Sequence, residues 1–152
     1  MKKIIALLLA ALLCFTVCAC GGAPKTVELT TDNIEEYLSF NFAYGDVERQ
    51  TKLGISFGYT DLTMKTYAIS SGNFENVKIT LSVPLKNGWA VSSSDSAYNK
   101  ADSETLTITF TLPASGELTA THDLIASMVY SNPDNQNINY TITSVTGTFI
   151  PN

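Results

Sequence analysis

The most constraining feature of the chain is a run in which Leu106, Ile108, Phe110 and Leu112 alternate with Thr105, Thr107, Thr109 and Thr111. A period of two puts the apolar side chains on one face and the threonines on the other, which a helix of 3.6 residues per turn cannot do. Threonine is also stiff at χ1 and favours extended backbone. A strand wet on one face only needs a second layer to cover the other, so this run alone demands a layered β structure.

The same alternation recurs. Val77, Ile79, Leu81 and Val83 alternate with Lys78, Thr80 and Ser82, and Pro84 closes the run because it cannot donate to a ladder. Leu38, Phe40, Phe42 and Tyr44 form a third set, and Leu53, Ile55, Phe57 and Tyr59 a fourth, which predicts an antiparallel pair. Thr63 to Ser70 and Trp89 to Ser92 read as shorter strands. Ile138, Tyr140 and Ile142 open a C-terminal strand whose apolar phase shifts to Val145 and Phe149, predicting a bulge near Thr143 and Ser144. Helix is expected only from Asn33 to about Leu38, where Asp32 is placed to cap the amide of Glu35 and Glu35 to reach back. Ala120 to Tyr130 fits either element. Seven or eight short strands separated by Gly, Asn, Asp, Ser and Pro predict an all-β chain, an antiparallel Ig-like or fibronectin III-like sandwich with one short N-terminal helix.

The first nineteen residues follow a different logic. Lys2 and Lys3 precede an apolar run from Ile4 to Val17, too short for a comfortable span of about 20 residues, and the run ends in Cys18-Ala19-Cys20. This is the layout of a signal peptide. Val17-Cys18-Ala19-Cys20, followed by Gly21-Gly22, resembles the lipobox of bacterial lipoproteins. That resemblance implies cleavage after Ala19, a diacylglyceryl group on the Cys20 thiol and often an acyl chain on its amine. Cys18 departs from the Ala, Ser or Thr usual at its place, and cleavage by a standard signal peptidase would leave Cys20 an ordinary thiol. Residues 1–19 are thus expected to be the signal, 20–26 the lipidated Cys and tether, and 27–152 a single domain.

Cysteine content then decides several chemistries. The chain has three cysteines, Cys14, Cys18 and Cys20; two leave with the signal and the third is taken by the lipid. The mature domain has no disulfide framework, no thiolate zinc site and no cysteine nucleophile. Its roughly 130 residues bury about two-thirds of their unfolded surface, enough for a core without staples. Losing Lys2 and Lys3 leaves seven basic against fourteen acidic residues, a formal charge of −7. An acidic domain with no Lys or Arg cluster excludes a nucleic-acid footprint.

Catalytic signatures are sparse. His122 is the single histidine, so a Ser-His-Asp triad or a histidine metal site must use it. Asp123 follows it, but neighbours on a strand face opposite ways; a partly exposed structural residue is the simpler reading. Gly-x-Ser-x-Gly, Walker and His-Glu-x-x-His motifs do not occur. Glu35 and Glu36 are adjacent, and on a helix they diverge by about 100°, too far apart in direction to work as a glycosidase pair. Asp95, Asp102 and Glu104 border a serine-rich loop that offers oxygen ligands without EF-hand spacing. Ser131 to Asn137 reads as a turn that is also suited to recognition.

Aromatic side chains are the remaining handle. Trp89, the only tryptophan, sits after Asn87-Gly88 and is either a stacking platform or, as sandwiches more commonly arrange it, core. Tyr59, Tyr67 and Tyr98 are further ligand-binding candidates. The segment from Val27 to Leu38, Val-Glu-Leu-Thr-Thr-Asp-Asn-Ile-Glu-Glu-Tyr-Leu, and the closing Ser144-Val-Thr-Gly-Thr-Phe-Ile resemble small lipoproteins of Gram-positive gut bacteria with an Ig/fibronectin-like domain. That likeness implies a host and adds no chemistry. The expectation is a monomeric binding or interaction module, lipid-anchored on the extracytoplasmic face of the cell membrane. Its partner is an envelope protein or a glycan, and it has no catalytic set, metal or cofactor beyond the Cys20 lipid. The alternative is a small lipid-anchored carbohydrate-active enzyme or carbohydrate-binding module.

Overall fold

The structure, a computed structural model, describes residues 25–85, 88–92, 105–127 and 138–152. Among them are nine strands: β1 (Val27–Glu28), β2 (Leu38–Tyr44), β3 (Glu48–Lys52), β4 (Ile55–Ala68), β5 (Gly72–Pro84), β6 (Trp89–Val91), β7 (Thr105–Thr111), β8 (Leu118–Ser127) and β9 (Thr141–Pro151). They form two antiparallel sheets. One runs β1-β9-β5-β7; the other runs β2-β4-β8-β6, with β3 also paired to β4. Between them lies one core, in which Val77, Ile79, Leu81, Val83, Leu106 and Ile108 are fully buried opposite Leu38, Leu62, Met64 and Leu124. The alternation in β5 and β7 therefore reads directly onto the fold, threonines outward.

Two irregularities shape the β5–β9 ladder. Thr80 pairs with Ser144 but Leu81 pairs with Ile142, which leaves Thr143 as the extra residue of the expected bulge. Its hydroxyl donates to the Thr80 carbonyl at 3.1 Å. Nearer the other end, Asn76 and Val77 together face Gly147 alone, with Asn76 at φ 53° and Gly147 at φ 116°. This bulge brings both Phe74 and Val77 onto the core face although they are three residues apart. The Phe74 ring then meets Phe149 at 5.1 Å, and Tyr37 meets Phe149 from the other side at 4.7 Å.

Three expectations are corrected. The N-terminal helix is a single 3-10 turn over Ile34–Glu36, and among the described residues there is no α-helix. Asp32 does not cap it. Instead Asn33 accepts from the Thr30 amide at 2.8 Å and donates to the Glu28 carbonyl at 2.9 Å, bonds that tie it to the preceding chain. Leu38 is already in β2, because its side chain is needed in the sheet's buried row.

The fourth apolar set is out of phase with the core. Ile55 to Ala68 is one continuous strand; β2 pairs with its second half, from Tyr44↔Leu62 to Leu38↔Ala68, and β3 takes the same edge of its first half. The core row is Thr60, Leu62, Met64 and Thr66, so Ile55, Phe57 and Tyr59 lie on the outer face. Threonine is tolerated inside because its hydroxyl is satisfied. Thr60 Oγ1 donates to the Gly45 carbonyl at 2.9 Å, and Thr66 Oγ1 accepts from the Leu118 amide at 2.8 Å. Leu53 and Gly54 form the two-residue turn between β3 and β4, both at positive φ, and Leu53 is entirely exposed.

The third correction concerns His122. The sequence suggests partial exposure, whereas the side chain is 5 % exposed. It lies opposite Leu62 in the β4–β8 register and thus in the buried row of β8.

Candidate functional site

The outer face of the second sheet collects the polar and aromatic groups that the core does not use. Along β4 they are Phe57, Tyr59, Asp61, Thr63 and Lys65, alternating with the buried row. Tyr59 is flanked by Glu48 of β3 and Ile125 of β8, its register partners. The Lys52 ammonium stands 6.0 Å from the centre of its ring, at the outer limit of cation–π range. Phe57 and Tyr59 are half-buried, each leaving part of a ring open to solvent.

Two residues further along, Asp61 stands directly opposite Asp123. Loss of water around the Asp61 carboxyl raises its pKa, and the charge of Asp123, the hydrogen bond to it and the charge of Glu48 push it the same way. Beyond the acids, Thr63 Oγ1 and Thr121 Oγ1 lie 3.3 Å apart across the same strands. The face thus offers ring surface, a pair of carboxyls and hydroxyls in one row, an arrangement suited to hydrogen-bonding a polyhydroxylated ligand.

A second concavity lies between the sheets. β6 pairs β8 only from Leu124 to Ala126, with Ser92 adding one bond to the Asp123 carbonyl at 2.9 Å. Between β7 and the earlier part of β8 is a cleft of about 510 Å³, lined by Ile108, Phe110, Leu118, Ala120 and His122 among others. His122 Nε2 is buried there with no hydrogen-bond partner of its own among the described residues, while the residue has other interactions. Asp123 points to the opposite face, so histidine and aspartate do not form a base and its orienter.

The sequence candidates are dispersed. Trp89 is 1 % exposed and packs in the core, so its ring presents no stacking face; its indole N–H is buried without a hydrogen-bond partner among the described residues. Tyr59 belongs to the outer face, and Tyr67 to the far end of the same strand. Glu35 is engaged structurally: its Oε1 accepts from the Tyr140 hydroxyl at 2.6 Å. Burial, this hydrogen bond and the Glu35 charge together push the Tyr140 phenol up to about 12. Cys20, Tyr98, the acids Asp95, Asp102 and Glu104, and the loop from Ser131 to Asn137 lie outside the described residues. Among the described residues no group of three His, Cys, Asp or Glu side chains is placed to hold a metal ion.

Sequence reasoning passed over Phe57, Glu48 and the Asp61–Asp123 pair. The two aspartates are 62 residues apart, and only the β4–β8 register brings them together. The available signal was an aspartate in the middle of an otherwise strand-like run, where aspartate is disfavoured. No protein-family model, no curated protein and no solved structure matches the chain.

Proposed function

We propose that the chain is a lipoprotein anchored through Cys20 on the extracytoplasmic face of the membrane. Its Ig-like or fibronectin III-like sandwich acts there as a binding module, with the outer face of β3, β4 and β8 as the ligand surface. The observation that carries this reading is the Asp61–Asp123 pair beside Tyr59 and Phe57. Like charges directly opposite each other weaken a sheet, and these carboxyls contribute nothing to the core. Carboxylates that accept from hydroxyls, next to a partly open ring, are the groups that recognise a glycan. Binding is favoured over hydrolysis by the same geometry. Glycosidase carboxyls stand about 5 Å or more apart to flank the scissile bond, whereas Asp61 and Asp123 are in hydrogen-bond contact.

The test is glycan and peptidoglycan-fragment binding to the Lys25–Asn152 domain, read as a rise in thermal midpoint. A ligand is expected whose effect disappears in Tyr59→Ala and Asp61→Asn. A flat response across the panel, or binding that survives both substitutions, would overturn the outer-face assignment. The anchor is tested separately: Cys20→Ser should abolish acylation and release the protein from membranes, and unchanged processing and retention would refute it.

A further inference from the structure

Two groups of large hydrophobic side chains are exposed among the described residues, and they stand at opposite ends of the domain. Leu53 and Ile55, at the β3–β4 turn, are 102 % and 46 % exposed; Tyr67 and Ile69, where β4 leaves the sheet, are 42 % and 59 % exposed. β4 itself separates them, and at about 3.3 Å per residue its 14 residues set them roughly 40 Å apart.

The described chain begins at the Ile69 end. Val27 pairs with Phe149, so the chain before it runs out past the end of β9, where Pro151 pairs with Gly72. The order β1-β9-β5 puts the start of the chain two strand spacings, about 10 Å, from Gly72. Gly72 follows the Ile69–Ser71 connection directly. That connection is held in place, since the Ile69 amide donates to the Tyr37 carbonyl at 2.8 Å and the Asn152 amide to the Ser71 carbonyl at 3.3 Å. A rigid mount therefore projects the Ile69 side chain off the same end of the molecule from which the N-terminal chain departs.

We infer that this end is a bilayer-contacting foot. Ile69 and Tyr67 enter the interfacial zone of the membrane that holds Cys20, and the Leu53 turn points away from it. The inference rests on the Cys20 anchor proposed above. Only four residues, Gly21 to Pro24, separate Cys20 from Lys25, and fully extended they and their flanking bonds reach about 18 Å. The foot therefore cannot leave the vicinity of the bilayer. Tyrosine favours the headgroup level with its ring inward and its hydroxyl wet, and isoleucine gains by leaving water. Lys25 and Lys65 flank the foot, while Glu36 and Glu117 at the same end limit it to shallow contact. Orientation follows: the outer face of β4 stands upright from the membrane, with Tyr59 and Asp61 beyond the foot.

The experiment uses the acylated full-length protein in vesicles of phosphatidylcholine and phosphatidylglycerol. Cys20 is the last cysteine of the chain and its thiol carries the lipid, so Ile69→Cys and Leu53→Cys each supply a single reactive thiol for an environment-sensitive fluorophore. Flotation of the vesicles reports the anchor, and quenching by doxyl-labelled lipid reports contact of the labelled site. The expected result is flotation of both variants, with a blue-shifted, lipid-quenched label at position 69 and a water-like, unquenched label at position 53. Flotation with equal quenching at the two sites, or with none at 69, overturns the foot and leaves the anchor standing. Failure to float overturns the anchor and the foot with it.

Discussion

Replacing Gly147 with alanine tests the β5–β9 bulge directly. Gly147 faces the bulge of β5 at φ 116°, and its carbonyl accepts from the Leu29 amide at 2.9 Å. A Cβ built there would lie 2.6 Å from Val77 Cα, 2.8 Å from Asn76 O and 2.8 Å from Val77 N. All three are backbone atoms of the neighbouring strand, which cannot swing aside as a side chain can. Holding a non-glycine residue at such a φ costs about 1–3 kcal/mol, and overpacking adds about 1–3 kcal/mol. Together they come to about 4 kcal/mol, a large share of the stability of a domain of this size. Gly54→Ala is the matched comparison. Gly54 also has positive φ, 79°, but nothing lies within 4 Å of its added Cβ, so only the backbone strain of about 1 kcal/mol remains. For the Lys25–Asn152 domain, about 4 °C per kcal/mol translates these into midpoint losses of about 15 °C for Gly147→Ala and about 4 °C for Gly54→Ala. Thermal and urea unfolding followed by circular dichroism measures both. Equal losses would mean that close approach of β9 to the bulge is not what selects glycine at 147.

Other expectations are smaller in scale. The Tyr140 phenol titrates at about 12 in the fold against 10.0 as its ordinary value, so its contribution is intact below pH 10 and is lost as pH rises toward 12. Tyr140→Phe should flatten that alkaline slope in unfolding experiments and cost about 1 kcal/mol at pH 7; an unchanged slope refutes the assignment. The raised Asp61 pKa has the opposite consequence near neutrality, because the folded state resists ionisation. Stability falls as pH rises above the ordinary aspartate range, and Asp61→Asn should raise the midpoint more at pH 7 than at pH 3. A gain of equal size at both pH values would show that charge is not the cause. Finally, Trp89 in the core should emit at short wavelength and resist iodide quenching in the native domain, and a red, quenchable emission would place its ring at the surface.

Alternation carried the reading of β5 and β7, where one face is apolar and the other is mostly threonine, serine or lysine, and of β2, where the other face is Ser39, Asn41 and Ala43. The phase shift between Ile142 and Val145 located the bulge at Thr143 because a period of two leaves no other way to turn both residues inward. β4 defeated the same rule. Its apolar residues at 55, 57 and 59 outvote Thr60 on hydrophobicity, yet Leu62 and Met64 fix the buried phase for the whole strand, and the satisfied hydroxyls of Thr60 and Thr66 make that phase tolerable. Asn33 to Leu38 had helical cap chemistry, but the hydrogen bonds of Asn33 to Thr30 and Glu28 and the pairing of Leu38 with Ala68 shorten it to one turn. Of the candidate site, Tyr59 was legible as an aromatic candidate, although it lies inside β4 and not at the strand end that its spacing suggested. Its carboxylate neighbours were not, since cross-strand partners are a property of register and not of local pattern.

The two residue pairs that join β1 to β9 have a mechanical meaning. If the domain is tethered through Cys20 and holds a ligand on its β4 face, as proposed, it would be pulled between its first residue and that face, with the load entering the fold through Val27 and Glu28. Because β1 runs away from the start of the chain, tension along the chain would slide it along β9 and load its bonds in shear, over a short contact of two residue pairs and the Leu29–Gly147 bond. Once it slips, the load passes to β2, whose seven pairs with β4 are sheared in the same sense. On the proposed anchoring, the two ladders would act as resistances in series, a short one at β1 and a longer one at β2.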